Sequence, residues 1–420
     1  MNKLFKLTAI AAAMGACFSA PAFADSASST GGLKIKSDDG RFEAALGGRL
    51  HFDGNMVDED VTDNSKKGGA NDQVTNGLFM RRAYVTLAGK VYDYKYKLEF
   101  DVAGGVSGSK ELWLGHDLLG GFLKAGHMQP AYGMEELTSS NEILFMERPF
   151  ISNNGVFKGR EFQNGIGYTR NFLDNMLLAN VTVYDGGTGS DGNTGAAQEG
   201  RGVAARLTAA PINTDDATLH VGLSIDSIDY NTLAGGPAMD ISYLSKNGPK
   251  TSLKPFDGTV KGLVKAGSYD TQDTYTGELA GKIGPFYAQA EYSSSDLGGG
   301  KGNFDQSLES YYVQASYFIT GESKVYKAAN GVFGNAKPAV ANEWGAWEVK
   351  ARYDVMKNKD ADKYALPNVA EKLQTTGFGV NWYPNSNVRF MLEYLMGQAK
   401  TVGGDKDKPN AITARAQVSF

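Results

Sequence analysis

Cysteine occurs once in the 420 residues, at position 17, inside a stretch that reads as a removable leader. No disulfide framework can hold the rest of the chain, so an exported protein of this size must rest on its own packing or on a bilayer. Long apolar runs are also missing. None of 18 residues follows Asp25, and the mean hydropathy is −0.33, which excludes a bundle of spanning helices that each need about 20 apolar residues. There is no excess of positive charge: 42 Lys and Arg face 47 Asp and Glu. That balance argues against a nucleic-acid partner, although it does not fix the sign of charge inside a lumen. The four histidines, His51, His116, His127 and His220, lack metal spacing such as H-E-x-x-H, so no metal or cofactor is expected. No G-x-S-x-G elbow appears, and nothing else marks an enzyme.

The chain does have a leader. Lys3 and Lys6 precede an apolar stretch over 7–17, and Ala22-Phe23-Ala24 forms a small-x-small cleavage signal before Asp25. Residues 1–24 are therefore expected to be a signal peptide. Met14-Gly15-Ala16 is a poor lipid-attachment signal ahead of Cys17. Cleavage removes the cysteine and two lysines, lowering the net charge of −5 by two more. Residues 25–41 read as a short periplasmic lead-in.

Glycine (53), Tyr (21) and Phe (21) are abundant, as a protein of many turns and strands with aromatic girdles requires. The last ten residues show the pattern best. Ile412, Ala414, Ala416, Val418 and Phe420 alternate with Thr413, Arg415, Gln417 and Ser419, so one face meets an apolar medium and the other a polar one. In 94–102 the apolar series Tyr94, Tyr96, Leu98, Phe100 and Val102 opposes Lys95, Lys97, Glu99 and Asp101. Full charges directly behind a wholly apolar face are costly in a dry core, whereas a water-filled lumen accepts them. Sixteen such segments are expected: 42–52, 78–88, 92–102, 110–118, 121–128, 162–170, 176–184, 202–210, 218–228, 274–283, 285–295, 308–318, 345–355, 374–384, 387–396 and 411–420. Their connections alternate short and long, the arrangement of tight periplasmic turns and longer outer loops. The connection 319–344 is long where a short one is due, which points to a misplaced strand nearby. The reading is an all-β, 16-stranded antiparallel transmembrane barrel over 42–420, closed by 411–420 against the strand near Phe42.

Two loop motifs are decoys. Gly187-Thr188-Gly189-Ser190-Asp191-Gly192 matches G-x-G-x-x-G, but no helix follows it. Residues 53–72 are acidic and Asn-rich without the spacing of a calcium loop.

The distinctive local pattern is Leu46-Gly47-Gly48-Arg49-Leu50 followed by Phe79-Met80-Arg81-Arg82-Ala83-Tyr84. Arg49 is out of phase with Leu46, Leu50 and Phe52 and so faces the lumen. Of the adjacent arginines strict alternation sends one outward, where lipid would cost about 2–4 kcal/mol near the midplane. A bulge or a subunit contact would accommodate both; the alternative puts one at the membrane rim.

These residues, with Thr320-Gly321-Glu322, Tyr326-Lys327, Gly345-Ala346-Trp347-Glu348 and Gly379-Val380-Asn381-Trp382-Tyr383, resemble the phosphate-selective porin O/P family through most of the chain. The resemblance implies a 16-stranded trimeric barrel in the cell outer membrane, with a constriction loop folded into each pore; 129–161 looks like that loop. It also implies an anion path in which Arg49, Arg81 and Arg82 line the constriction and Lys95, Lys327 and Lys337 gather anions at its mouth. Arg offers a weakly hydrated fork that replaces part of phosphate's water shell, while Lys acts as a point charge. Two departures stand out: Glu136 where the family has a lysine, and Lys110 beside Glu111 where it has an acid. The expected function is passive diffusion of small anions, phosphate or polyphosphate first. The alternatives are a pore for carboxylates or sulfonates, an outer-membrane hydrolase, or a closed structural barrel.

Overall fold

The computed structural model describes residues 26–28, 33–58, 77–103, 108–153, 162–185, 200–229, 271–298, 305–336, 344–364, 370–401 and 406–420. The Gly187 motif, the leader and Lys337 lie outside them.

Sixteen strands form the wall: β1 Phe42–Asp58, β2 Gly77–Val91, β3 Tyr94–Asp101, β4 Gly108–Leu118, β5 Gly121–Met128, β6 Gln163–Phe172, β7 Leu177–Asp185, β8 Arg201–Asn213, β9 Ala217–Asp229, β10 Thr271–Ile283, β11 Phe286–Gly298, β12 Gln306–Phe318, β13 Ala346–Asn358, β14 Ala370–Tyr383, β15 Val388–Thr401 and β16 Asn410–Ser419. Each pairs antiparallel with its sequence neighbours, and β16 closes the barrel on β1 from Asn410↔Asp58 to Ser419↔Arg49. All sixteen expected segments fall on these strands. Alternation has the anticipated cause. Leu223, Leu279, Val313 and Leu392 stand exposed on the outside, whereas Arg206, Glu278, Gln314 and Glu393 are buried inside. No helix among the described residues is long and apolar enough to cross a membrane.

The glycines of the Leu46 to Leu50 motif serve closure. Gly48 donates to Phe420 O at 2.9 Å and accepts from Phe420 N at 3.1 Å. A Cβ at Gly47 would sit 2.9 Å from Phe420 O, and one at Gly48 would sit 2.7 Å from Tyr84 O. Beyond this point β16 has ended, and residues 33–36 of the lead-in pair with β1 instead, Leu33↔Leu46 to Lys36↔Glu43.

The long connection 319–345 needs no misplaced strand. It carries its own small hairpin, Val325–Lys327 against Val332–Gly334, turned by Gly331 at φ 61°. It leaves the barrel on the short-turn side and folds inward. Val332 and Phe333 pack on Met134 and Tyr287 there, because an apolar hairpin finds burial only inside the lumen.

Candidate functional site

Two short helical turns, α1 Met134–Leu137 and α2 Phe150–Asn153, lie in the segment after β5, which crosses the lumen. The wall fastens this loop through its backbone. Glu291 accepts the amides of Met134 (2.8 Å) and Glu135 (3.1 Å), Glu393 that of Met146 (2.7 Å), and Asp354 that of Phe150 (2.9 Å). Wall cations take the carbonyls: Arg389 donates to Ile143 O (3.0 Å), Lys350 to Leu144 O (3.0 Å) and Arg352 to Glu147 O (2.8 Å). An irregular segment has unmet amides and carbonyls, and buried ones must be satisfied. Leu144 and Phe145 complete the seam against Leu395 and Ala411. These anchors lie on β11, β13, β15 and β16, and a chamber opens on the other flank, beside β3–β7.

Arg81 and Arg82 both face inward because β2 bulges there: His51 opposes Arg82, and Phe52 opposes Met80. Both meet one loop carboxylate. Arg81 grips Glu147 with Nε at 2.5 Å and Nη2 at 2.8 Å, Arg82 stands at 3.5 Å, and Arg415 reaches it at 3.1 Å while holding Asp53 at 2.7 Å. Burial alone would raise the Glu147 carboxyl, but Arg81, Arg82 and Arg415 outweigh it and hold the group far below the usual carboxylate range. Arg82 is 5% exposed. Its guanidinium is turned to the loop carboxylate, 3.5 Å from Glu147.

Arg49 borders the lumen. It donates to Glu99 (3.1 Å), Ser140 (2.9 Å) and Ser139 (3.3 Å) and lies over Tyr84 at 4.6 Å. Lys95 pairs with Asp117 at 2.8 Å near the short-turn rim. Lys327, on the inward hairpin, pairs with Glu142 of the loop at 2.5 Å. These sit at different levels, so the five expected residues that the structure describes are not one cluster.

The two departures have structural explanations. Glu136 is buried, accepts from Gln129 at 3.0 Å and sits 3.8 Å from Arg148; it is part of the loop's own packing. Lys110 and Glu111 occupy a second bulge, since Leu98 opposes Leu112 but Phe100 opposes Ser109. Both consequently turn inward, Lys110 over Phe162 at 5.1 Å and Glu111 onto Lys97 at 2.7 Å.

Two residues of the open flank escaped the sequence reading, Lys124 (over Trp113 at 5.7 Å) and Trp113 itself, and Lys97, placed there on the polar face, was given no role. Alternation could have marked Lys124 and Trp113 as lumen-facing too. Only the path of the loop distinguishes the open flank from the blocked one.

Comparison with known proteins agrees with this architecture. The profile described as "Phosphate-selective porin O and P" matches residues 45–420. Porin O of Pseudomonas aeruginosa is 30% identical over 458 aligned residues covering all of both chains. Among solved structures, the outer-membrane channel DcaP of Acinetobacter baumannii superposes with a TM-score of 0.55 at 15% identity, over 92% of this chain and 99% of that one. An anion-selective porin from Comamonas acidovorans gives 0.54 at 12% identity, over 90% and 99%. At such identities these two structures bear on the fold alone. The family profile and the full-length relative settle the rest: the chain belongs to the phosphate-selective porin O and P family and is a channel of the outer membrane.

Proposed function

We propose that the channel passes small anions passively into the periplasm, with phosphate favoured, along the flank formed by β1 and β3–β5. The observation that carries this reading is the charge of that flank. Arg49, Lys97, Lys110 and Lys124 face Glu99, Glu111 and Asp101, and Asp101 is engaged by the amides of Ala83 (3.2 Å) and Ala103 (3.0 Å). On the adjoining strands β2 and β16 three guanidiniums share Glu147 and Asp53. A surplus of cations on low-dielectric walls concentrates anions and repels cations. Several modest contacts at staggered levels let an ion enter without being trapped. Lys95 and Lys327 would gather anions on the short-turn side, and Lys337 is assigned to the same group on resemblance alone.

Assembly is part of the proposal. β3 and β5 have 8 residues each, fewer than the about 9–11 a tilted spanning strand needs. Strands β8–β13 have 13 each. A wall too low for lipid suits burial against other copies, as in a trimer. Porin O and the family profile support the anion reading by likeness.

Reversal potentials across a salt gradient test it. A voltage of the sign set by anions, with chloride current inhibited by added phosphate and weakened in Arg49→Ala, is the expected result. Cation preference would sink the reading.

A further inference from the structure

We propose that the chamber on the short-turn side of the constriction is a binding site for hydroxylated organic phosphates, with a sugar phosphate as the ligand type. The inference rests on the anion-channel reading and names a substrate class for it.

The chamber encloses about 860 Å³ between β3–β7, the loop residues Gln129 and Leu137, and the hairpin residues Ala329 and Asn330. That volume lies within the roughly 300–1,000 Å³ of small-molecule sites, and it far exceeds what a bare phosphate fills. Its wall is mixed in a way that inorganic phosphate does not require. Trp113 and Phe122 meet edge to face at 5.7 Å, and each carries a lysine: Lys124 lies 5.7 Å from the indole and Lys95 lies 5.1 Å from the phenyl ring. Such an aromatic corner offers an apolar plate to the C–H face of a sugar ring, with ammonium groups placed beside it for the phosphate.

The remaining lining supplies acceptors. The carboxylates of Glu111 and Asp117 face the chamber. Glu111 is paired with Lys97 at 2.7 Å and Asp117 with Lys95 at 2.8 Å, and the lone pairs left over on their oxygens accept hydrogen bonds from hydroxyls while repelling a lone phosphate. The amide oxygens of Asn171 and Asn180 have no hydrogen-bond partner among the described residues. Their nitrogens are tied to Ala329 O (3.5 Å) and Thr169 Oγ1 (3.1 Å). Buried acceptors of this kind are ordinarily satisfied, and both residues line the chamber. A molecule with an anionic end and several hydroxyls uses the lysines, the aromatic corner and the acceptors together.

The test is block of single-channel chloride current by glucose 6-phosphate, inorganic phosphate and glucose, with the reversal potential recorded on the same membranes. Glucose 6-phosphate should block at a concentration about tenfold below either of the others, an advantage of one aromatic contact. Trp113→Leu should erase that advantage while leaving the half-blocking concentration of inorganic phosphate within about twofold. Asn180→Ala, a milder change, should weaken the sugar phosphate selectively if Trp113→Leu fails to fold. Equal block by glucose 6-phosphate and inorganic phosphate, or equal loss of both in the variants, would overturn the site. An anionic reversal potential alongside that failure leaves the channel reading standing; a cationic one removes both.

Discussion

Glu147 is the residue on which the constriction turns. It gathers Arg81, Arg82 and Arg415, guanidiniums that would otherwise repel one another in a buried place. Removing one partner of a buried ion pair costs about 3–5 kcal/mol, so Glu147→Gln should lower the unfolding temperature in detergent and make the open-channel current fluctuate. The dependence on pH follows from the sign of the shift. The folded carboxyl titrates below its unfolded value of about 4.3, so its stabilisation is fully present above that pH. It is lost as the pH falls from there through the lowered folded value. Wild-type current should therefore become unsteady only in that acidic window, and the dependence should flatten in Glu147→Gln. Identical profiles would rule the clamp out. The inward aim of Arg49 was legible from its phase against Leu46, Leu50 and Phe52, whereas the adjacency of Arg81 and Arg82 left a bulge, a subunit contact or a place at the membrane rim open. The partner was not legible. Glu147 sits in a loop without periodicity, and nothing in sequence tells a carboxylate that clamps arginines from one that lines a pore.

At the level of elements, strands were readable because lipid and water impose a period of two on every one of them. The hairpin within 319–345 was not. Its apolar residues, Val325, Tyr326, Val332 and Phe333, are too few to announce a strand and lie where a tight turn is the rule. Its burial depends on a loop distant in sequence, Lys327 meeting Glu142 185 positions away and Phe333 meeting the Met134 cluster. The hairpin also supplies carbonyls to Arg206, from Asn330 (3.1 Å) and Gly331 (2.7 Å). It supports the constriction loop from below, as β11, β13, β15 and β16 hold it from the side. Replacing 323–336 by a short Asn-Gly turn should keep the barrel, because β12 and β13 pair with each other directly from Leu308↔Asn358 to Phe318↔Glu348. The loop would lose its lower support and part of its ion pairing. Conductance should rise and the anion-to-cation permeability ratio should fall; an unchanged channel would show the hairpin to be a passive insertion.

For the whole molecule, the uneven height of the wall decides how the barrel sits among its neighbours. An apolar band of about 25 Å must be covered all the way round, and β3 and β5 with 8 residues each fall short of it. A sector too low to meet lipid is stable only where protein covers it. Leu114, on β4 within the low sector, and Val313, on β12 in the tall one, both point outward. They are 53% and 54% exposed in the single chain, so any difference in their accessibility comes from the surroundings. With Cys17 replaced, a single cysteine can be placed at either position and labelled by a membrane-soluble maleimide in native outer membranes. The cysteine at 313 should react readily. The one at 114 should be protected, and it should become reactive once detergent and heat separate the copies. Equal labelling in the membrane would mean that lipid reaches the low wall, and that short strands there are accommodated by thinning of the bilayer instead of by assembly.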